Sequence, residues 1–360
     1  MKKRRIKIIP VLIFSIFFIV ILTVVSFFII FKIYTSPVSK TSSEVAFTVD
    51  SNETFLSLSD NLKKEGLIKS EFFYKLYIKL NTPTKLERGI YKLNKNMGVK
   101  EIVKVLDSGT NSTDDIKITF KEGINMRGVI KLICKNTNIK EEDILSKLKD
   151  NNYLDTLITK YWFLNSDIKN ANIYYSLEGY LYPDTYEFKK DATIEDIFDI
   201  MLSNTEKKLE KYKTNLTNNK FTTHQLLTLA SIVELESVGN DQAGVAGVFY
   251  NRINNNITLG SDVTTYYGIK VDMNERDLYK DEINTANAYN TRSSSMAGKL
   301  PIGPICNPSI KSIEAVINPT KSDYFYFVAD KNKKTYFSKN YNEHLKTIQK
   351  LKSEGLWYEY

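Results

Sequence analysis

From Ile8 to Phe31 the chain runs for 24 residues without a charged side chain, directly after Lys2, Lys3, Arg4, Arg5 and Lys7. At about 1.5 Å per residue a helix of this length covers roughly 36 Å, more than the ~30 Å hydrocarbon core of a bilayer. Inside lipid every backbone N–H and C=O must find its partner within the segment, which confines such a run to a helix. Pro10 lies near enough to the start to be tolerated. A cleaved signal peptide would have an apolar stretch of about 7–15 residues closed by small residues of the Ala-x-Ala kind. The exit here reads Lys32-Ile33-Tyr34-Thr35-Ser36-Pro37, and the first cysteine is Cys134, so neither a cleavage pattern nor a lipid-attachment cysteine follows. The expectation is a basic cytoplasmic flank over 1–7, a retained single-pass cell-membrane helix over 8–31, and an extracytoplasmic remainder.

That placement limits what the remainder can do. The net charge of +8 would suggest nucleic acid, but five of the positive charges belong to the flank, leaving +3 on the 329 residues past Phe31. No nucleic-acid partner is expected. Cys134 and Cys306, the only cysteines, are too few for a disulfide framework and are expected to pack as thiols. His224 and His344 stand far apart without nearby cysteines, so no metal site is expected. No glycine loop suited to phosphates occurs, and no cofactor is expected. Ser-x-x-Lys occurs at Ser146–Lys149 and Ser166–Lys169, but without the Lys-Thr-Gly that accompanies it in penicillin-binding enzymes.

The fold class read from the pattern is α+β. Residues 32–45, rich in Ser, Thr and Val, read as an exposed spacer. A small α+β module is expected over 46–109, with strands at 46–49 and 89–93 and helices at 55–62, 71–80 and 99–106. A larger α+β unit follows over 110–360. It has a polar loop at 110–115, a strand at 116–120 and helices at 126–134, 194–212, 224–237 and 342–352, with a strand at 324–328. The helix near 224 opens with Thr222-x-x-Gln225, a capping box. The segment 177–188 is too rich in turn residues for a regular element.

Within Leu229-Ala230-Ser231-Ile232-Val233-Glu234-Leu235-Glu236 two carboxylates meet a helix that is otherwise apolar. At 100° per residue Glu234 projects between Leu227 and Ala230, where desolvation would raise its pKa and let it donate a proton near neutral pH. Glycosidic bond cleavage asks this of its general acid. Glu236 lies about 200° further around and also falls between apolar residues, so periodicity alone does not choose between them.

These residues, with Glu178-Gly179-Tyr180-Leu181-Tyr182-Pro183-Asp184-Thr185-Tyr186, Val248-Phe249-Tyr250-Asn251-Arg252, Leu259-Gly260-Ser261-Asp262, Ala288-Tyr289-Asn290-Thr291, Leu300-Pro301-Ile302-Gly303-Pro304-Ile305 and Tyr326-Phe327-Val328-Ala329-Asp330, occur in an order that resembles the MltG (YceG-like) family of endolytic murein transglycosylases. The resemblance runs from about Phe47 to Lys352. It implies that Glu234, the first acid of the Ile-Val-Glu segment, is catalytic, and that 46–109 is a LysM-like module. It further implies peptidoglycan glycan strands as substrate and work beside cell-wall synthases. Asp262, Tyr289, Asn290 and Glu178 are polar residues of the shared motifs and are expected to hold the sugar or orient Glu234. Arg292, Lys299 and Ile302 depart from the family pattern in the loop expected to line the cleft.

The chemistry so implied needs a single acid. It protonates the oxygen between N-acetylmuramic acid and N-acetylglucosamine, then takes the proton of the muramic C6 hydroxyl as that oxygen closes on C1. A 1,6-anhydro end results, without water. Two alternatives stand beside it: a non-catalytic glycan-binding scaffold, and a hydrolytic muramidase with Asp262 as base.

Overall fold

The computed structural model describes residues 8–50, 53–109 and 116–357, with side chains from Ser15 onward. The expected basic flank and the polar loop at 110–115 lie outside the described residues. The chain divides into two compact units, Met1–Asp115 and Ile116–Tyr360.

In the first unit, helix α1 (Ile8–Thr35) takes in the whole apolar run and continues four residues beyond it. Its segment Ser15–Thr35 is long and apolar enough to cross a membrane. Phe17 and Phe28 keep more than half their surface exposed, so no protein core receives this helix. Strand β1 (Glu44–Val49) pairs antiparallel with β2 (Gly89–Asn94), and α2 (Leu58–Lys64) and α3 (Glu71–Asn81) lie between them in sequence. Alternate residues Phe47, Val49, Tyr91 and Leu93 are buried, the period-2 signature of a sheet covered on one face. Helix α4 (Val99–Asp107) covers it with Val99, Ile102, Val103 and Leu106, one helical stripe.

The expected exposed spacer is mostly exposed but does not hang free of the module. Residues 32–35 extend the helix, and the residues after Thr35 are tied to the module: Ser39 N–H donates to Lys95 O at 2.9 Å, Lys95 N–H to Ser43 O at 3.0 Å, and Ser43 N–H to Asn94 Oδ1 at 2.8 Å. Tyr34 stacks on Phe73 with centroids 4.9 Å apart, and Lys69 Nζ donates to Ser36 Oγ at 2.7 Å. A stretch of Ser, Thr and Val has no period of its own, and its bonds go to residues some fifty positions away. Composition alone does not reveal them.

The second unit begins with β3 (Ile116–Thr119), paired antiparallel with β4 (Thr185–Phe188). The segment 177–188, expected to be irregular, therefore ends in a strand. Tyr186 and Phe188 alternate inward against Phe120. Between these strands run α5 (Met126–Asn136), α6 (Glu141–Lys147) and α7 (Asn151–Lys160). Then come α8 (Ile194–Leu209), α9 (Lys213–Thr217), α10 (Thr223–Glu236), α11 (Gln242–Asn254), α12 (Asp262–Gly268), α13 (Lys280–Asn284) and α14 (Ile310–Ile317). A hairpin of β5 (Tyr326–Ala329) and β6 (Thr335–Ser338) precedes α15 (Tyr341–Ser353). Helix α10 is the centre: every residue from Leu226 to Val233 is buried, and α9, α11, α12 and α14 pack around it. A helix apolar all round can be stable only inside. Its start is the expected capping box, Gln225 N–H donating to Thr222 Oγ1 at 3.2 Å and Thr222 N–H to Gln225 Oε1 at 2.9 Å. Cys134 and Cys306 are both free thiols.

Candidate active site at the end of a buried helix

Glu234 and Glu236 stand in the last turn of α10, where the free carbonyls make negative charge locally unfavourable. Each carboxylate meets a different answer. Glu234 is half-buried, and its Oε2 accepts three hydrogen bonds from the start of α14: Ser309 N–H at 3.0 Å, Ser309 Oγ at 2.6 Å and Ser312 Oγ at 2.6 Å. Ser309 is also the N-cap of α14, so the bonds that start that helix aim it at the carboxylate. Among the described residues Oε1 has no partner and remains open. A carboxyl gripped by one oxygen presents the other in a fixed direction, as a group passing a proton back and forth requires.

The opposite wall is the Glu122-Gly123 turn. Gly123 has φ +75° and lies so close that a Cβ there would come within 3.6 Å of Glu234 Cγ and 3.2 Å of Leu235 Cδ2. Asn307 fixes this turn: its N–H donates to Ile124 O at 2.8 Å, its carbonyl accepts from Gly123 N–H at 3.0 Å, and its Oδ1 accepts from Leu181 N–H at 2.9 Å. Ser231, one turn before Glu234, receives Ile305 N–H on its hydroxyl at 3.0 Å.

The second acid, Glu236, meets a different environment. Burial raises the pKa of Glu236, with the Ser261 hydroxyl, 2.6 Å from Oε1, opposing the shift. The wheel considers only neighbours along one helix. The α14 serines that replace an apolar environment at Glu234 lie some 75 residues away in sequence. Glu236 lines a cavity of about 670 Å³ together with Asp262, Arg252 and Tyr266. A smaller cavity of about 230 Å³, lined by Gly123, Arg127 and Leu235, shares Val263, Tyr266 and Met273 with it. The two are neighbours across one wall.

The other expected site residues separate into surface and interior. Asp262 is exposed and paired with Arg292 at 2.6 Å, beside Glu236 in the larger cavity. Tyr289, Asn290 and Glu178 are fully buried, with their side chains turned into the fold. Tyr289 packs with Tyr174 and Tyr267, both centroids at 4.8 Å, and accepts Tyr174 N–H at 3.2 Å. Asn290 uses its whole amide on the chain: Nδ2 donates to Ile283 O at 3.0 Å and Thr285 O at 2.7 Å, while Oδ1 accepts from Thr265 Oγ1 at 2.7 Å and Arg292 N–H at 3.0 Å. Asn290 thereby sets the loop over 283–292 and has no donor or acceptor left for a ligand. Glu178 Oε2 accepts Met126 N–H at 2.8 Å, at the start of α5, and Tyr267 OH at 2.9 Å. Among the described residues its Oε1 is buried without a hydrogen-bond partner, and burial pushes its pKa up to about 7. Asn251 and Arg252 likewise serve the backbone, donating to carbonyls of Ser322, Tyr324, Phe325 and Leu259.

Ser309 and Ser312 escaped sequence reasoning. Ser-x-x-Ser after Pro308 announces a helix start and nothing more. His224 also had no assigned place. It is buried, with Nε2 donating to Ile302 O at 2.8 Å and Nδ1 2.7 Å from Tyr180 OH, so it braces the 300–305 loop against the Glu178-Gly179-Tyr180 segment.

The model of the YceG-like family matches residues 47–350, a span that includes both carboxylates and both serines. The chain belongs to the YceG-like family. Family resemblance extends to curated relatives named endolytic murein transglycosylase. The one from Bacillus subtilis (strain 168) is 34% identical over 318 residues, 87% of each chain. The one from Streptococcus pneumoniae serotype 2 is 32% identical over 309 residues, 81% of this chain but 55% of the relative. A crystal structure of a yceG-like protein from Listeria monocytogenes superposes with a TM-score of 0.60 at 31% identity, covering 85% of this chain and all of that one.

Proposed function

We propose that this protein is a membrane-anchored endolytic lytic transglycosylase of peptidoglycan, with Glu234 as its acid and then its base. The observation that carries the reading is the hold on Glu234: one carboxylate oxygen taken by Ser309 and Ser312, the other open, in a chain whose relatives are named for murein transglycosylation. Glu234 protonates the oxygen between N-acetylmuramic acid and N-acetylglucosamine, and the C1–O bond breaks through an oxocarbenium-like state. The carboxylate left behind takes the proton of the C6 hydroxyl as that oxygen bonds to C1. The proton count closes on one residue, and a second carboxylate is not required. Asp262, the base a hydrolase would need, is occupied by Arg292.

Helix α1 anchors the enzyme, with the basic flank held in the cytoplasm and the second unit outside it. The strand, two-helix, strand order of 44–94 supports reading the small unit as a LysM-like module that retains glycan. Tethered by this helix, the enzyme works on nascent strands beside the membrane-bound synthases that make them.

Mass spectrometry of glycan strands digested by the wild type and by Glu234→Gln tests the proposal. Ends lighter by one water, absent with the variant, are expected. Reducing ends would identify a hydrolase, and undiminished cleavage by the variant would remove Glu234 from the chemistry and favour a scaffold.

A further inference from the structure

The cavity of about 670 Å³ beside Glu236 takes no part in the chemistry assigned to Glu234, yet it holds a half-buried carboxylate that the fold leaves half-used. Glu236 Oε1 accepts from Ser261 Oγ; among the described residues Oε2 has no partner and is not closed off from the cavity. The nearest cation does not claim it. Arg252 spends Nε on Phe325 O at 2.7 Å and Nη1 on Leu259 O at 2.5 Å, and its guanidinium lies 5.1 Å over the Tyr326 ring. Of the two other carboxylates that line it, Asp262 and Asp277, Asp262 already has Arg292. The remaining surface mixes the polar groups of Asp277 and His344 with the aromatic and apolar faces of Phe249, Tyr266 and Phe327. Fixed polar atoms set among aromatic faces are the makeup of a small-molecule site. A carboxylate acceptor among ring-sized aromatic faces suits an amide N–H or hydroxyl carried on a sugar, and the volume admits a hexosamine.

We propose that this cavity is a saccharide subsite in which Glu236 Oε2 accepts the acetamido N–H of an N-acetylhexosamine unit and Tyr266 lies against the sugar. Glu236 is then a substrate-holding and specificity-determining residue, distinct from Glu234, which faces the other side of the same helix turn. The inference rests on the glycan substrate proposed above. It adds that the enzyme recognises N-acetylation through this carboxylate.

The test uses full-length protein in detergent, silenced by Glu234→Gln, with chitotetraose as probe and cellotetraose, which lacks acetamido groups, as its comparison. Adding Glu236→Gln puts an amide NH₂ or a weaker acceptor where the carboxylate was, and is expected to weaken chitotetraose binding about tenfold with cellotetraose binding unchanged. Tyr266→Leu, in the lining of the same cavity, is expected to weaken both probes and carries the test should Glu236→Gln fail to fold by thermal melting. In the active enzyme Glu236→Gln is expected to raise KM about tenfold with kcat within about twofold. Equal chitotetraose binding by both variants and their parent, or no binding by the parent, overturns the subsite. Loss of kcat at saturating substrate in Glu236→Gln also overturns it, by giving Glu236 the chemistry. Reducing ends from the wild-type enzyme would overturn the transglycosylase reading alone, whatever the binding results.

Discussion

Ser312 and Glu178 show how much a single side chain can carry when it is not the reacting group. Ser312 Oγ supplies one of the three bonds on Glu234 Oε2. A hydrogen bond to a charged group contributes about 1.5–3 kcal/mol, and two donors remain in Ser312→Ala, so we expect roughly a tenfold fall in the rate of anhydro-end release. An unchanged thermal melt would separate this from misfolding. Glu178 is a stability device with a pH signature. Its folded pKa, near 7, lies above its ordinary 4.5, so the fold binds its proton more tightly than the unfolded chain does. The stabilisation is complete below about pH 4.5 and is lost as pH rises through about 7, a change on the order of 3 kcal/mol for this fully buried group. Glu178→Gln keeps an acceptor for Met126 and Tyr267 and cannot ionise. Urea denaturation at pH 5 and pH 8 should find the variant gaining on the wild type as pH rises; parallel losses in both proteins would refute the assignment.

Among elements, the 177–188 segment and the 300–305 loop act as one piece because Gly179 lets them touch. At φ +83° its missing Cβ would lie 2.3 Å from Pro304 Cβ and 2.6 Å from Pro304 Cγ. Gly179→Ala is expected to cost about 2–4 kcal/mol from overpacking added to left-handed backbone strain. Gly355 supplies the control: φ is +69° but nothing lies within 4 Å, so Gly355→Ala should cost only about 1 kcal/mol. Comparing the two by chemical denaturation isolates the contact from the backbone. The same scale explains which elements could be foreseen. The helix of 126–134 and the stripe Val99, Ile102, Val103, Leu106 were legible because each buries one periodic face against a neighbour. Strand β4 was not, since Pro183 and Asp184 disguise a run whose partner, β3, lies 66 or more positions upstream.

For the whole molecule, α1 sets where everything else works. Its described apolar side chains are exposed, and the segment Ser15–Thr35 is long and apolar enough to cross a membrane. Aspartates at Ile19 and Val25 would each cost about 2.5–3.5 kcal/mol near a bilayer centre. The double variant should leave the membrane pellet after alkaline extraction while the wild type stays, and co-sedimentation of both would deny α1 an anchoring role. The sequence by itself determined this helix, because uncharged length needs no partner to be read. It also determined the family, the capping box at Thr222 and the presence of two acids at the end of α10, all local or collinear features. Tertiary structure alone decided how those acids differ. Glu234 meets the serines that begin α14, and Glu236 meets Ser261 and a cavity. Those neighbours arrive from 25 to 78 residues away in the chain, beyond the reach of any helical period. It also turned Tyr289, Asn290 and Glu178 inward and fastened the segment after α1 to the module, because a buried polar group is assigned its partner by packing and not by its place in a motif.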